Sequence, residues 1–155
     1  MRFERTTDYD LVREVLTDPR LYPHMGDDYA PPIEHFAVNR HPAIWYVLVE
    51  DGSLGMFCFF PENAICWQAH AALARGLHPR LTRQAGRELM EWLWRETPCQ
   101  RVIASVPASN RAAVRYGLDP DGMNLLPYGV NVRSFQKHGQ LVDQILMGRS
   151  RPKGV

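Results

Sequence analysis

The chain has 155 residues, 18 Lys and Arg against 17 Asp and Glu, and 45% hydrophobic residues. That balance excludes disordered, fibrous and repeat classes and leaves one folded domain, able to bury roughly 70% of its unfolded surface without a metal or disulfide staple. A net charge of +1 gives no global field for nucleic acid or an anionic membrane, so neither is expected as a partner.

In chain order, residues 1–7 suit a short edge strand, and Asp8 caps a helix over 9–17 in which Leu11, Val12, Val15 and Leu16 recur at helical spacing. Pro19 ends it. From Tyr22 to Pro42, four prolines break up a segment that also carries His24, His35, His41, Asp27, Asp28 and Glu34. This reads as a surface loop or lid with at most a turn of helix at 33–37, its acidic residues either attracting a cationic amine or solvating the loop. Ile44–Val49 is apolar without alternation, as in a strand covered on both faces, and Asp51-Gly52 signals a two-residue hairpin into Leu54–Phe60. Pro61-Glu62-Asn63 then turns the chain into a third strand over 64–75, completing an antiparallel meander.

The second half alternates helix and strand. After a loop at Gly76–Leu81, Thr82 caps a helix over 83–96 with Ala85, Leu89, Met90, Trp92 and Leu93 on its apolar side. Arg101–Val106 is a strand broken by Pro107, and Ser109 or Asn110 caps a short helix ending at Gly117. Residues 128–135 and 140–147 form a closing hairpin around His138-Gly139, and residues 149–155 are a polar, basic tail. Val47, Phe57, Leu89, Trp92 and Ile103 are expected in the core. Cys58, Cys66 and Cys99 lack metal-ligand or C-x-x-C spacing and read as buried thiols of a reducing compartment. The charged start, Met1 to Arg5, and the absence of an apolar run near ~18 residues point to a soluble, cytoplasmic protein.

Two segments carry a resemblance. His78-Pro79 through Gly86-Arg87-Glu88-Leu89-Met90, and Val102 through Pro107-Ala108-Ser109-Asn110 to Ala113, resemble the loop and helix after the fourth strand, and the fifth strand and next helix, of the GNAT family of N-acetyltransferases. An Asn followed by an Ala three residues later is typical of the second segment. The order of elements is similar over nearly the whole chain. The Tyr128-Gly129-Val130, Gly139 and Asp143 pattern looks like the branch that includes ribosomal-protein N-terminal acetyltransferases, and the whole looks still more like compact GNAT-like proteins of phage genomes.

The resemblance implies an α/β (α+β) domain over 1–148, with a mixed, mostly antiparallel sheet flanked by helices. It implies acetyl-CoA as co-substrate, no metal, and transfer of the acetyl group to a small-molecule or protein primary amine by direct attack; a homodimer is compatible with it. The stretch Leu81 to Gly86 retains only Gly86 of the family's phosphate-loop glycines. Gly117 stands seven residues after Asn110, where the family usually has its catalytic tyrosine, and Tyr116 precedes it. These departures define a second reading, a catalytically inactive GNAT-like structural or interaction protein such as a phage accessory or virion component.

Under the enzymatic reading, the small residues of Ala71, Ala72, Leu73 and Ala74, with Arg75, form a groove in which an extended pantetheine arm pairs like an added strand; otherwise they pack beneath a helix. Arg80, Arg83 and Arg87 oppose the macrodipole at a helix N-terminus, a placement that asks for an anion, and Gln84, Ala85 and Gly86 complete the phosphate site. Ion pairs of Glu91 with Arg87 and Arg95 are the alternative account. Asn110 either caps its helix or bonds the cofactor. His70, on one strand face with Gln68, is the candidate base or a core histidine, and Tyr116 the candidate acid.

Overall fold

A computed structural model describes residues 1–154. The first helix starts where its capping signal places it: Asp8 Oδ1 accepts from the Leu11 N–H at 3.1 Å. It follows strand β1 (Phe3–Thr6) and spans Tyr9–Leu16 as α1. Inside the proline-rich segment lies one turn of helix, α2 (Tyr22–Met25), which the sequence reading takes as loop; Pro23 is tolerated in its first turn because that N–H has no intrahelical partner. A 3-10 turn at Ile33–His35 falls where a helical turn is expected.

Strands β2 (Trp45–Val49), β3 (Gly55–Pro61) and β4 (Cys66–Leu73) form the expected meander. The β2–β3 link is longer than a two-residue turn. Glu50, Asp51 and Gly52 all have positive φ, and β1 holds the enlarged turn: Glu50 N–H donates to Arg2 O at 3.0 Å and Arg2 N–H to Glu50 Oε1 at 2.8 Å. β3 opens at Gly55, whose φ is +108°; a Cβ there would lie 2.2 Å from the Ala72 carbonyl oxygen.

Helix α3 (Pro79–Glu96) begins four residues before the expected start. His78 Nδ1 accepts from the Arg80 N–H at 3.2 Å, and Pro79 occupies the first turn, so the His-Pro pair does the capping that the sequence reading assigns to Thr82. Strand β5 (Arg101–Pro107), helix α4 (Arg111–Leu118), and strands β6 (Leu126–Lys137) and β7 (Gln140–Ser150) complete the chain. The hairpin turns at His138-Gly139 as expected, but β7 runs two residues into the stretch read as a tail, and Arg149 Nη1 donates to Met123 O at 3.2 Å.

The seven strands lie in the order β1-β2-β3-β4-β5-β7-β6. Every neighbouring pair is antiparallel except β4–β5, which gives the expected mixed, mostly antiparallel sheet flanked by helices. Alternation divides its side chains. Val47, Phe57, Phe59, Trp67 and Ala69 pack with Leu89, Met90 and Leu93 of α3, while Tyr46, Leu48, Met56, Cys58 and Ala72 pack with Val12 and Leu16 of α1. Val47, Phe57 and Leu89 are fully buried, as expected; Trp92 and Ile103 are only half-buried. Trp92 sits at the rim against Phe3 and Trp45, and Ile103 alternates with Val102 and Ala104, away from α3.

Candidate active site

The two parallel strands stay together for three rungs only, Cys66 with Arg101, Trp67 with Val102 and Gln68 with Ile103. Beyond them β4 follows β3 to Leu73, β5 follows β7 to Pro107, and the sheet opens. The gap holds a cavity of about 220 Å³ lined by Gln68 to Ala71, by Ala104 to Pro107, and by Asn110, Tyr116, Phe135 and Gln144. It shares Ala71, Asn110, Ala113 and Tyr116 with a groove of about 470 Å³ that runs between the start of α3 and α4. One cleft therefore crosses the sheet.

The ladder pattern fixes which backbone groups face it. Ala74 N–H donates to Leu54 O at 3.1 Å, so by antiparallel alternation Ala72, His70 and Gln68 bond β3. Ala71 and Leu73 turn their N–H and C=O groups to the gap. On the far side Ala108 N–H donates to Asp143 O at 2.9 Å, which by the same alternation leaves Ser105 facing them. Ala72 is thus displaced from the expected groove: its side chain is buried on the α1 face and its backbone is committed to β3. Ala71 takes its place, and Leu73, Ala74 and Arg75 line the outer groove.

The earlier start of α3 revises the phosphate site. Gln84, Ala85 and Gly86 lie in the second turn, where their N–H groups belong to the helix ladder. Gln84 Nε2 donates to Glu88 Oε1 at 2.7 Å, Ala85 is core, and Gly86 is a packing glycine whose Cβ would lie 2.9 Å from the Tyr116 hydroxyl. Leu81 N–H donates to His78 O at 2.9 Å. Arg83 is not free for an anion: its Nε lies 2.6 Å from Asp119 Oδ2, and this contact holds the Asp119 carboxyl below its usual range. Arg87 Nη1 reaches Asp121 O at 3.5 Å. Among the described residues, the exposed Arg80 guanidinium has no hydrogen-bond partner.

Asn110 caps α4, its Oδ1 accepting from the Ala113 N–H at 3.2 Å, and also lines the cleft. His70 shares its face with Gln68, as expected, and meets the Phe60 ring edge-on at 5.3 Å. Although part of His70 is open to the cleft, the surrounding protein penalises imidazolium and lowers its pKa below the ordinary 6.5. At pH 7 it is a neutral acceptor. The Tyr116 hydroxyl is buried with no partner among the described residues, and desolvation, with Asp119 adding, pushes its pKa well up. No tyrosine fits at the next position, because a Cβ on Gly117 would lie 2.5 Å from Met147 Sδ.

His24 and Met25 of α2, Ser105, Phe135 of β6 and Gln144 of β7 also line the cavity, and none of them is among the site residues expected from the sequence. The expected lid points to His24 and Met25, and the family-like stretch from Val102 to Pro107 contains Ser105. That lid is tied down: Asp28 accepts from the His138 and Gly139 N–H groups at 2.8 Å each, Asp28 N–H donates to Gln136 O at 3.0 Å, and Lys137 Nζ donates to Gly26 O at 2.6 Å. Asp28→Ala is expected to speed amide exchange at His138 and Gly139, read by hydrogen-exchange mass spectrometry. The turn N–H groups hold the Asp28 pKa below 3.8, so the clamp is intact above that pH and is lost as the pH falls through the lowered value. Exchange unchanged in the variant would show that the hairpin holds its own turn.

Among the described residues, no helix is long and apolar enough to cross a membrane. No protein-family model matches the chain, and no curated protein matches it at the threshold of significance. Solved structures do. Spermidine N-acetyltransferase from Vibrio cholerae, in complex with CoA and spermine, is similar with a TM-score of 0.74 at 12% identity, covering 96% of this chain and 94% of that one. Ribosomal-protein-alanine N-acetyltransferase from Brucella melitensis is similar with a TM-score of 0.68 at 17% identity, covering 97% and 100%. The fold is that of the GNAT acetyltransferases.

Proposed function

We propose that this chain binds acetyl-CoA in the β4–β5 cleft and transfers its acetyl group to a primary amine. The observation that carries the reading is the parting of the two parallel strands, which leaves the backbone groups of Ala71 and Leu73 open opposite Ser105. Amide groups of an extended pantetheine arm fit those groups as an added strand fits a sheet edge. Arg75 and Arg115, which line the outer groove, and the exposed Arg80 at the start of α3 supply positive charge for the phosphates in place of a glycine-rich turn.

In the transfer, the neutral amine attacks the thioester carbonyl carbon. The C–N bond forms while the carbonyl electron pair moves to oxygen; its return breaks the C–S bond. His70, directly or through water, takes the proton that the amine loses. Tyr116, kept protonated by burial and the one tyrosine among the lining residues, is the candidate donor to the leaving thiolate. A catalytically silent structural protein, such as a phage accessory or virion component, is the second reading. It is favoured by the start of α3, where His78 already satisfies N–H groups that a phosphate would need.

Acetyl-CoA at 100 times its dissociation constant is expected to stabilise the fold by roughly 2.7 kcal/mol, a melting-temperature rise of about 5–10 °C for a domain of this size. Arg80→Glu is expected to remove much of that rise with the unliganded melting temperature unchanged. Arg83→Glu is expected to lower the unliganded value, because it sets a carboxylate against Asp119. That outcome reverses what a free arginine at a helix N-terminus would give. No rise in the wild type at millimolar acetyl-CoA would favour the structural reading.

A further inference from the structure

The two ends of the cleft differ in chemistry. The outer groove carries arginines, whereas the inner end is lined by Gln68, His70, Phe135 and Gln144, with His24 and Met25 of α2 bordering both. Among the described residues no carboxylate lines that inner end. None of the acidic side chains of the adjoining loop lines the cavity: Asp28 accepts from the hairpin turn, Asp27 Oδ1 accepts from the Tyr29 N–H at 2.9 Å, and Glu34 lies in the 3-10 turn. A polycation entering here would shed its hydration without meeting a counter-charge, which is strongly unfavourable.

The polar groups that are present ask for something else. Gln144 Oε1 accepts from Ser134 Oγ at 3.0 Å, which leaves its NH₂ donors unused, and the Gln68 amide has no partner among the described residues. Amide NH₂ groups pair with carbonyl oxygens. Met25 and Phe135 supply apolar surface between them.

We infer that the acceptor is an α-amine on an uncharged, partly apolar body that carries a carbonyl beside the amine, and not a polyamine or a lysine side chain. The inference rests on the acetyl-transfer reading above. Proton chemistry points the same way. At pH 7.5 about a third of an α-amine is already neutral, against roughly one in a thousand of a lysine-type amine. A neutral α-amine attacks without first losing a proton, whereas nearly every lysine-type amine must be deprotonated before it can react.

The test uses the purified chain with saturating acetyl-CoA and three acceptors: phenylalaninamide, spermidine, and a lysine amide blocked at its α-amine. Thiol release gives the rate and mass spectrometry the product. Phenylalaninamide is expected to exceed the others in kcat/KM by ~100-fold or more, following the difference in neutral fraction. Gln68→Glu is expected to narrow the gap by raising spermidine turnover, with acetyl-CoA affinity measured separately and unchanged. Equal or faster turnover of spermidine or the lysine amide overturns the inference, as does failure of all three acceptors while acetyl-CoA binds. Loss of acetyl-CoA binding itself overturns instead the reading on which the inference stands.

Discussion

Replacing His70 by alanine is expected to lower acetyl transfer by ~100-fold or more while leaving acetyl-CoA affinity unchanged, the lower end of what a positioned base contributes. His70 is the candidate because it combines three properties at one place: it lines the gap, it stands on the face shared with Gln68, and desolvation by the nearby protein lowers its pKa below the ordinary 6.5. His70→Gln tests the base more cleanly, since glutamine retains hydrogen-bonding groups and much of the bulk against Phe60 but cannot take the proton. After correction for the neutral fraction of the amine, the wild-type rate is expected to fall on the acid side, below pH 6.5, as the imidazole protonates, and that residual limb should vanish in the glutamine variant. The same lowered pKa acts on stability. The unfolded chain binds the His70 proton more tightly than the folded one, so this residue makes the fold less stable as the pH drops below 6.5. Full activity in both variants, with the acid limb retained, would return His70 to a packing role.

Gly55→Ala is expected to destabilise the fold by ~3 kcal/mol or more, since it adds a positive-φ penalty to a clash that cannot relax. Its φ of +108° disfavours any L side chain, and the new methyl would meet the backbone of Ala72 at 2.2 Å and of Leu73 at 2.8 Å. Neither can move without parting β3 from β4, the pair that forms one wall of the cleft. Gly52→Ala is the matched control: its φ is +91°, but the nearest atom is the Leu48 side chain at 3.5 Å. It isolates the backbone strain, ~1–3 kcal/mol. Urea denaturation of the two variants measures the difference, and a Gly55→Ala loss no larger than that of Gly52→Ala would show that the strands have more freedom than their contacts imply.

What the sequence revealed about the fold came from strong local signals. The Asp8 cap, the helical spacing of Leu11 to Leu16, the apolar run from Ile44 and the His138-Gly139 turn are each decided within a few residues. The start of α3 was misread because the cap is a histidine side chain, outside the usual Ser, Thr, Asp and Asn set. That error carried forward. With the helix begun at Pro79, Gln84 to Gly86 lose their exposed N–H groups, and the role assigned to them goes too. The partner of Arg83 lies 36 residues away, and the neighbours that exclude a side chain at Gly117 come from β7, so neither was visible locally. The choice between Ala71 and Ala72 depended on the phase of β4, which is set by Trp67 and Ala69 entering the α3 core.

The three-rung contact of β4 with β5 also divides the sheet mechanically. On one side stand β1 to β4 and on the other β5 to β7, each held together by antiparallel pairings. The seam between them is the line along which the strand ladders part at least cost, since opening it sacrifices few hydrogen bonds while both rafts stay whole. The cleft lies at the end of that line, so a small change in the angle between the rafts alters its width without breaking either one.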